Sequence, residues 1–297
     1  MADSSGQDQD VVYFALYRYT PSIPAAVVFA VVFCVLSIFH IYRLVRHRTF
    51  FFVPFVIGLV FEAAGYIARI FSHFDTQALG PYITQTMLIL VAPPLFAASI
   101  YMTLGRLIVR LDAESASLIR VRWLTKIFVV GDVISFILQC GGGGYMAAGT
   151  LEAMENGEHI VIAGLAIQLL FFGFFILVAA VFHTRVRHSI SMISVRSHSG
   201  RFSWPGLMWT LYLACALILV RSVFRVVEFV QGNDGFIMRR EYLLYIFDAL
   251  LMALTGIALG FVFPGSFLDD HGNDEDEDDG DEDEERKRGL AERATSV

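Results

Sequence analysis

The stretch LVRSVFRVVEF, residues 219–229, sets Arg221, Arg225 and Glu228 inside a run apolar enough to enter a bilayer. Whether that run is a soluble core helix or a membrane span decides the fold. Its surroundings answer. Of 297 residues, 56% are hydrophobic and 17% charged, against about 25% charged in ordinary soluble domains. Seven windows reach spanning length: 22–42, 50–71, 82–104, 125–148, 159–182, 207–230 and 242–263, each 21 to 24 residues long. About 20 residues cross a bilayer core of about 30 Å. Lipid offers the backbone no water, so such windows must be helical. The sequence predicts an all-α membrane protein: a seven-transmembrane helix bundle.

Charge sets the expected orientation. The connections 43–49, 105–124 and 183–206 carry three, four and four Arg, whereas 1–21, 72–81, 149–158 and 231–241 carry one, none, none and two. Basic loops stay in the cytoplasm, which places the N-terminus outside and the C-terminus inside. The acidic start (Asp3, Asp8, Asp10) lacks the basic stretch of a cleavable signal peptide. Three regions are expected: a short extracellular N-terminus over 1–21, a membrane domain over 22–266 and an acidic cytoplasmic tail over 267–297. Residues 269–297 hold 14 Asp/Glu and 4 Lys/Arg. Such a segment cannot bury a core and is expected to be disordered, with a cytosolic partner as a further possibility for it. Cys34, Cys140 and Cys215 all fall within spans, so no extracellular disulfide framework is expected. Multi-pass insertion, in the plasma membrane ahead of vacuole or endoplasmic reticulum, is the expected location.

Several residues punctuate the spans. Pro93 and Pro94 sit inside the third and are expected to kink or break it. CGGGGYMAAG (140–149) ends the fourth with a glycine run bounded by Gly141 and Gly144, read as a loose end or a close approach. Gly256 and Gly260 form a small-xxx-small pair suited to tight helix packing.

Seven ionisable residues lie well inside spans: Glu62, Arg69, Asp132, Arg221, Arg225, Glu228 and Asp248. Each costs about 2.5–3.5 kcal/mol at the bilayer centre, so they must face the bundle interior and meet one another. Counting helix rise from the inner ends, Glu62 lies about 18 Å deep, Arg221 and Asp248 about 21 Å, and Asp132 about 10 Å. Gln139 reaches the upper level too. Glu62, Tyr66 and Arg69 share one helical face at i, i+4, i+7; Arg221, Arg225 and Glu228 repeat the spacing. The spacing predicts one polar layer built from spans 2, 4, 6 and 7, with Glu62–Arg221 and Asp248–Arg225 as preferred pairs. Four acids face three bases. The surplus acid either carries a proton or awaits a cationic ligand. Two readings stand: a fold-locking ion network, or a binding and translocation site.

The blocks FEAAGYIAR (61–69), VAPPLFAASIYMTLGR (91–106), FVVGDVISFILQCGGGG (128–144), RSVFRVVEFVQG (221–232) and EYLLYIFDALLM (241–252) resemble the fungal lipid-translocating exporter family. This is the Rta-like group, named for resistance to aminocholesterol. The resemblance covers roughly residues 13–266 and leaves out the acidic tail. It implies a seven-helix fungal membrane protein that exports or flips sphingoid long-chain bases or related amphiphiles, with a role in resistance to toxic lipids. Its motif positions fall on Glu62, Gly65, Tyr66, Arg69, Asp132, Gln139, Arg221, Arg225, Glu228, Glu241 and Asp248.

Other functions fit the residues less well. A sensor shares the seven-helix, N-outside layout and is the alternative function. The third span, however, ends YMTLGRLIVRLD without an acid-Arg-aromatic switch, and the seventh ends GFVFPGSF without an N-P-x-x-Y turn. A retinal pump needs a Lys in the last span, and the only two Lys are Lys126 and Lys287. No G-x-x-x-x-G-K-[ST] occurs, so ATP hydrolysis through a P-loop is excluded. No span sets His against His or Asp at metal-ligand spacing, so neither an enzyme nor a metal or other cofactor is expected, and nucleic acid is not a partner. The expected partners are membrane lipids and an amphiphilic substrate.

Overall fold

The computed structural model describes residues 22–74, 79–146, 150–190, 204–231, 235–236 and 240–263. The N-terminal segment, most of the third basic loop and the acidic tail lie outside the described residues. Seven long helices account for nearly all of the rest: α1 Ile23–Arg46, α2 Val53–Phe74, α3 Leu79–Arg110, α4 Val121–Met146, α5 Leu151–Ile190, α6 Trp204–Val230 and α7 Glu241–Phe261. Five of them, α1, α2, α3, α5 and α7, are long and apolar enough by length and composition to cross a membrane. The other two, α4 and α6, have 26 and 27 residues and carry the buried polar side chains described below.

Each helix packs on the next in sequence, and α7 closes the ring by packing on both α6 and α1. The third helix also touches α5 and α6, which makes it the interior element. The outward faces are apolar: Val28, Val31, Val35, Ile38 and Val45 of α1 are all more than half exposed. On a water-soluble chain so large a stripe would invite association; against lipid it is the expected surface.

Local chemistry fixes the ends. Pro24 opens α1, where its missing N–H costs nothing, and Arg43 and Arg46 sit in the last turn, where the helix dipole favours cations. Arg48 adopts a left-handed φ of 49° in the tight turn to α2. The fifth helix begins eight residues before the expected span. Thr150 caps it, its Oγ1 accepting from the Ala153 N–H at 3.2 Å, and Glu152 stands in the first turn. Residues 151–158, read as loop, are therefore helix.

Two aromatic groups fill the interior. Phe52, Phe55 and Phe96 pack with His40 and Phe263 where α1, α2, α3 and the end of α7 meet. Tyr101, Phe128, Phe172 and Phe175 join α3, α4 and α5. His40 ties α1 to α7: its Nε2 lies 3.0 Å from the Gly256 carbonyl.

Gly256 and Gly260 behave as expected. A Cβ on them would stand 3.1 Å from Leu36 and 3.2 Å from Phe39 of α1. The glycine run corrects the expectation for its ends. Gly141 and Gly144 face open space, and α4 stays helical through to Met146. The close approach falls on Gly142, whose Cβ would lie 2.6 Å from the Gly157 carbonyl of α5. Four adjacent glycines point in four directions around a helix; Gly142 meets α5, and a Cβ on Gly143 would lie 2.9 Å from the end of the Met87 side chain of α3. Of the kink or break expected at Pro93–Pro94, the break is absent. The third helix runs unbroken through both prolines, because a partner on another helix takes up a freed carbonyl.

Candidate polar site between α2, α6 and α7

Proline has no N–H, so Pro93 leaves the Ile89 carbonyl without its helical donor. Arg221 of α6 supplies one, donating from Nη2 to the Ile89 oxygen at 2.7 Å. Its Nε donates to Oδ1 of Asp248 on α7. Oδ2 of the same carboxylate accepts from Arg225 Nη2. Arg225 in turn donates from Nη1 to Glu228, one turn on, at 2.9 Å. Asp248 is fully buried and bridges two guanidinium groups. Its position depends on backbone geometry: Tyr245–Leu250 is a π-helical stretch inside α7. The wider i→i+5 turn re-aims the residues it contains, and such turns recur at functional sites.

A second ion pair sits toward the start of α7. Arg69 donates to Glu241 and to the Tyr245 hydroxyl, both at 3.0 Å. Glu241 also accepts from the Ser22 N–H at 2.8 Å and from the Tyr245 hydroxyl at 3.2 Å. The start of α1 is thereby tied to α2 and α7. Tyr66 is fully buried and stacks on Phe33 at 5.6 Å; its hydroxyl has no hydrogen-bond partner among the described residues.

Glu62 is the exception. It is 0% exposed and lies within electrostatic reach of Asp248, Arg221 and Arg225. Neither of its oxygens has a hydrogen-bond partner among the described residues. The expected Glu62–Arg221 hydrogen-bonded pair is therefore not formed; Arg221 donates instead to Asp248 and to the Ile89 carbonyl. The Asp248–Arg225 pair is formed as expected. Around this cluster three acids, Glu62, Glu228 and Asp248, meet two bases, Arg221 and Arg225, and Glu62 is the one in excess.

The fourth helix does not join the layer. Gln139 donates to the Ser135 hydroxyl at 2.6 Å and to Gln168 of α5 at 2.9 Å, while Ser135 donates to the Gly164 carbonyl at 2.6 Å. These bonds zip α4 to α5. Asp132 is buried on the same face of α4, apart from any cation, with Tyr101 of α3 beside it. Helix rise gave the heights of Gln139 and Asp132 but not the neighbour each one faces. Among the layer's residues, the Ile89 carbonyl went unassigned from sequence, and Glu241 and Tyr245 were not placed in the polar layer, although the family resemblance marks Glu241. A signal for two of them was present: Glu241, Tyr245 and Asp248 repeat the i, i+4, i+7 spacing of Glu62, Tyr66 and Arg69.

The extent of this site can be set against known families. Residues 55–271 match the family described as RTA1 like protein. The chain belongs to the RTA1-like family. The match spans both the ion cluster and the Asp132 region. Membership agrees with the resemblance noted above and with a multi-pass integral membrane protein. Protein RTM1 of Saccharomyces cerevisiae is 36% identical over 294 residues, covering 86% of this chain and 92% of that protein. Protoporphyrin uptake protein 1 of the same yeast is 39% identical over 280 residues, covering 82% and 90%. A more distant family relative, Sphingoid long-chain base transporter RSB1, is 24% identical over 275 residues, covering 82% of this chain and 72% of its own. No solved structure matches.

Proposed function

We propose that this protein moves cationic amphiphiles of the sphingoid long-chain base type across the membrane, and that this transport contributes to tolerance of toxic lipids. The observation that carries the reading is Glu62: a fully buried carboxyl without a hydrogen-bond partner among the described residues, beside a cluster in which Asp248 and Glu228 take the donors of Arg221 and Arg225. An ammonium group supplies what it lacks. In a low-dielectric interior such a pair is far stronger than in water, and the lipid tail can stay between helices in the bilayer. Arg221 and Arg225 direct their hydrogen bonds to Asp248, Glu228 and the Ile89 carbonyl rather than to Glu62, while the Arg225 Nε–H has no partner among the described residues. Family membership and the name of the long-chain base transporter among the relatives support the same class of substrate.

The relative named for protoporphyrin uptake favours a second reading, passage of an anionic amphiphile. For that ligand the arginines would be the receptors, and they would first have to give up Asp248 and Glu228. The test is reconstitution of the purified chain in liposomes carrying a fluorescent long-chain base on one leaflet. Protein-dependent flipping is expected, slowed at least about tenfold by Glu62→Gln, the equivalent of roughly 1.4 kcal/mol. Absence of flipping at any pH or potential contradicts the proposal. Movement of a fluorescent carboxylate amphiphile alone would establish the second reading.

A further inference from the structure

Asp132 is a second buried carboxyl that the ion cluster does not use. It is 4% exposed, and both oxygens lack a hydrogen-bond partner among the described residues. Tyr101 of α3 lies beside it, also fully buried, its hydroxyl likewise unpartnered. The Tyr101 ring is enclosed by Phe175, Phe128 and Phe172 at centroid distances of 4.4, 5.4 and 6.3 Å. No cation acts on Asp132 among the described residues; the ionisable groups near it are Tyr101 and, beyond that, Cys215 and Tyr212 of α6. No charged group reaches it from α4 itself or from the phenylalanine face of α5. An ionised carboxylate in such a pocket has no counter-charge, and only the Tyr101 phenol stands near as a donor, so it costs several kcal/mol.

A proton removes the need for a counter-charge. It neutralises the carboxyl and gives it an O–H, while the other oxygen stays an acceptor. The phenol of Tyr101 is the matching group, able to donate and accept. Polar groups of α5 and α6 lie toward the site from the basic side of the bundle, with the Tyr212 hydroxyl donating to the Ala179 carbonyl at 3.2 Å. Half-buried His183 of α5 has Nδ1 3.2 Å from the Tyr212 hydroxyl. Cys215, one turn along α6, is in electrostatic reach of both Tyr212 and Tyr101.

We propose that Asp132 and Tyr101 form a proton-binding site, distinct from the ion cluster around Asp248, that is loaded from the His183–Tyr212 end of the bundle. The proton arrives from water and binds one Asp132 oxygen; no other bond forms or breaks.

Infrared difference spectroscopy on the purified full chain tests this, with the elution profile of each variant confirming folding. At neutral pH a carbonyl stretch of a neutral carboxylic acid is expected that Asp132→Asn abolishes and Glu62→Gln leaves in place. Tyr101→Phe should keep that band but shift its frequency. Tyr212→Phe should slow its deuterium exchange several-fold. If Asp132→Asn removes no band, or the band appears only in acid, Asp132 is ionised and the site does not exist. An unshifted band in Tyr101→Phe removes the tyrosine from the site, and unchanged exchange in Tyr212→Phe refutes the entry side. None of these readouts needs lipid movement, so they stand apart from the translocation reading.

Discussion

Replacing Asp248 with Asn is the most informative single change to the ion cluster. The carboxylate accepts from Arg221 Nε and Arg225 Nη2. Charge-assisted hydrogen bonds are worth about 1.5–3 kcal/mol each. Removing the shared acceptor from a buried pair leaves uncompensated charge, at a cost of about 3–5 kcal/mol. The two estimates agree. Arg225 keeps Glu228, but Arg221 keeps only the Ile89 carbonyl, so most of the cost falls on the α3–α6–α7 contact. Thermal unfolding in detergent, followed by loss of the monodisperse elution peak, reads the effect. On a scale of roughly 2–4 °C per kcal/mol, Asp248→Asn should lower the midpoint by on the order of 10 °C. Glu62→Gln, which removes an acid with no partner, should move it by no more than about 1 kcal/mol in either direction. Equal losses in the two variants would refute the division of the cluster into a paired acid and a free one.

Two further outcomes follow from the packing. Gly142→Val should destabilise by about 1–3 kcal/mol, because its side chain meets the Gly157 carbonyl. Gly144→Ala meets nothing and should be neutral or stabilising by up to about 1 kcal/mol; the same thermal assay separates them. Pro93→Ala restores a backbone donor to Ile89, in competition with Arg221. It should hold or raise the unfolding midpoint while slowing flipping in liposomes, and unchanged flux would show that the freed carbonyl has no part in transport.

The sequence showed which buried charges share a helical face better than which neighbours that face meets. Glu62, Tyr66 and Arg69 were readable as one face because regular helical spacing holds along α2. The depth count set Asp248 level with Arg221, at about 21 Å, and Arg225 was chosen as its partner beside a Glu62–Arg221 pair. That one carboxylate serves both arginines was not readable, because the π-helical turn at Tyr245–Leu250 changes where Asp248 points, and no local residue pattern announces that turn. The Arg221–Ile89 bond needed two facts at once: a proline removing a donor on α3, and an arginine of α6 at the same level. Gln139 illustrates the converse. Its depth matched the layer, but its side chain turns to α5, where Gln168 satisfies it. Glu241 was assigned to a loop because the apolar window began after it, although it belongs to the first turn of α7.

The most direct measurement is equilibrium binding to the purified chain of a long-chain base and of its N-acetylated, uncharged analogue. A free carboxyl at Glu62 should favour the ammonium form by about tenfold or more, the effect of a charge-assisted bond of roughly 1.5 kcal/mol. Glu62→Gln should erase that preference while leaving affinity for the neutral analogue unchanged. Equal affinity for the two lipids in the wild-type chain, or a preference that survives Glu62→Gln, would contradict the assignment of Glu62 as the receptor for the amine.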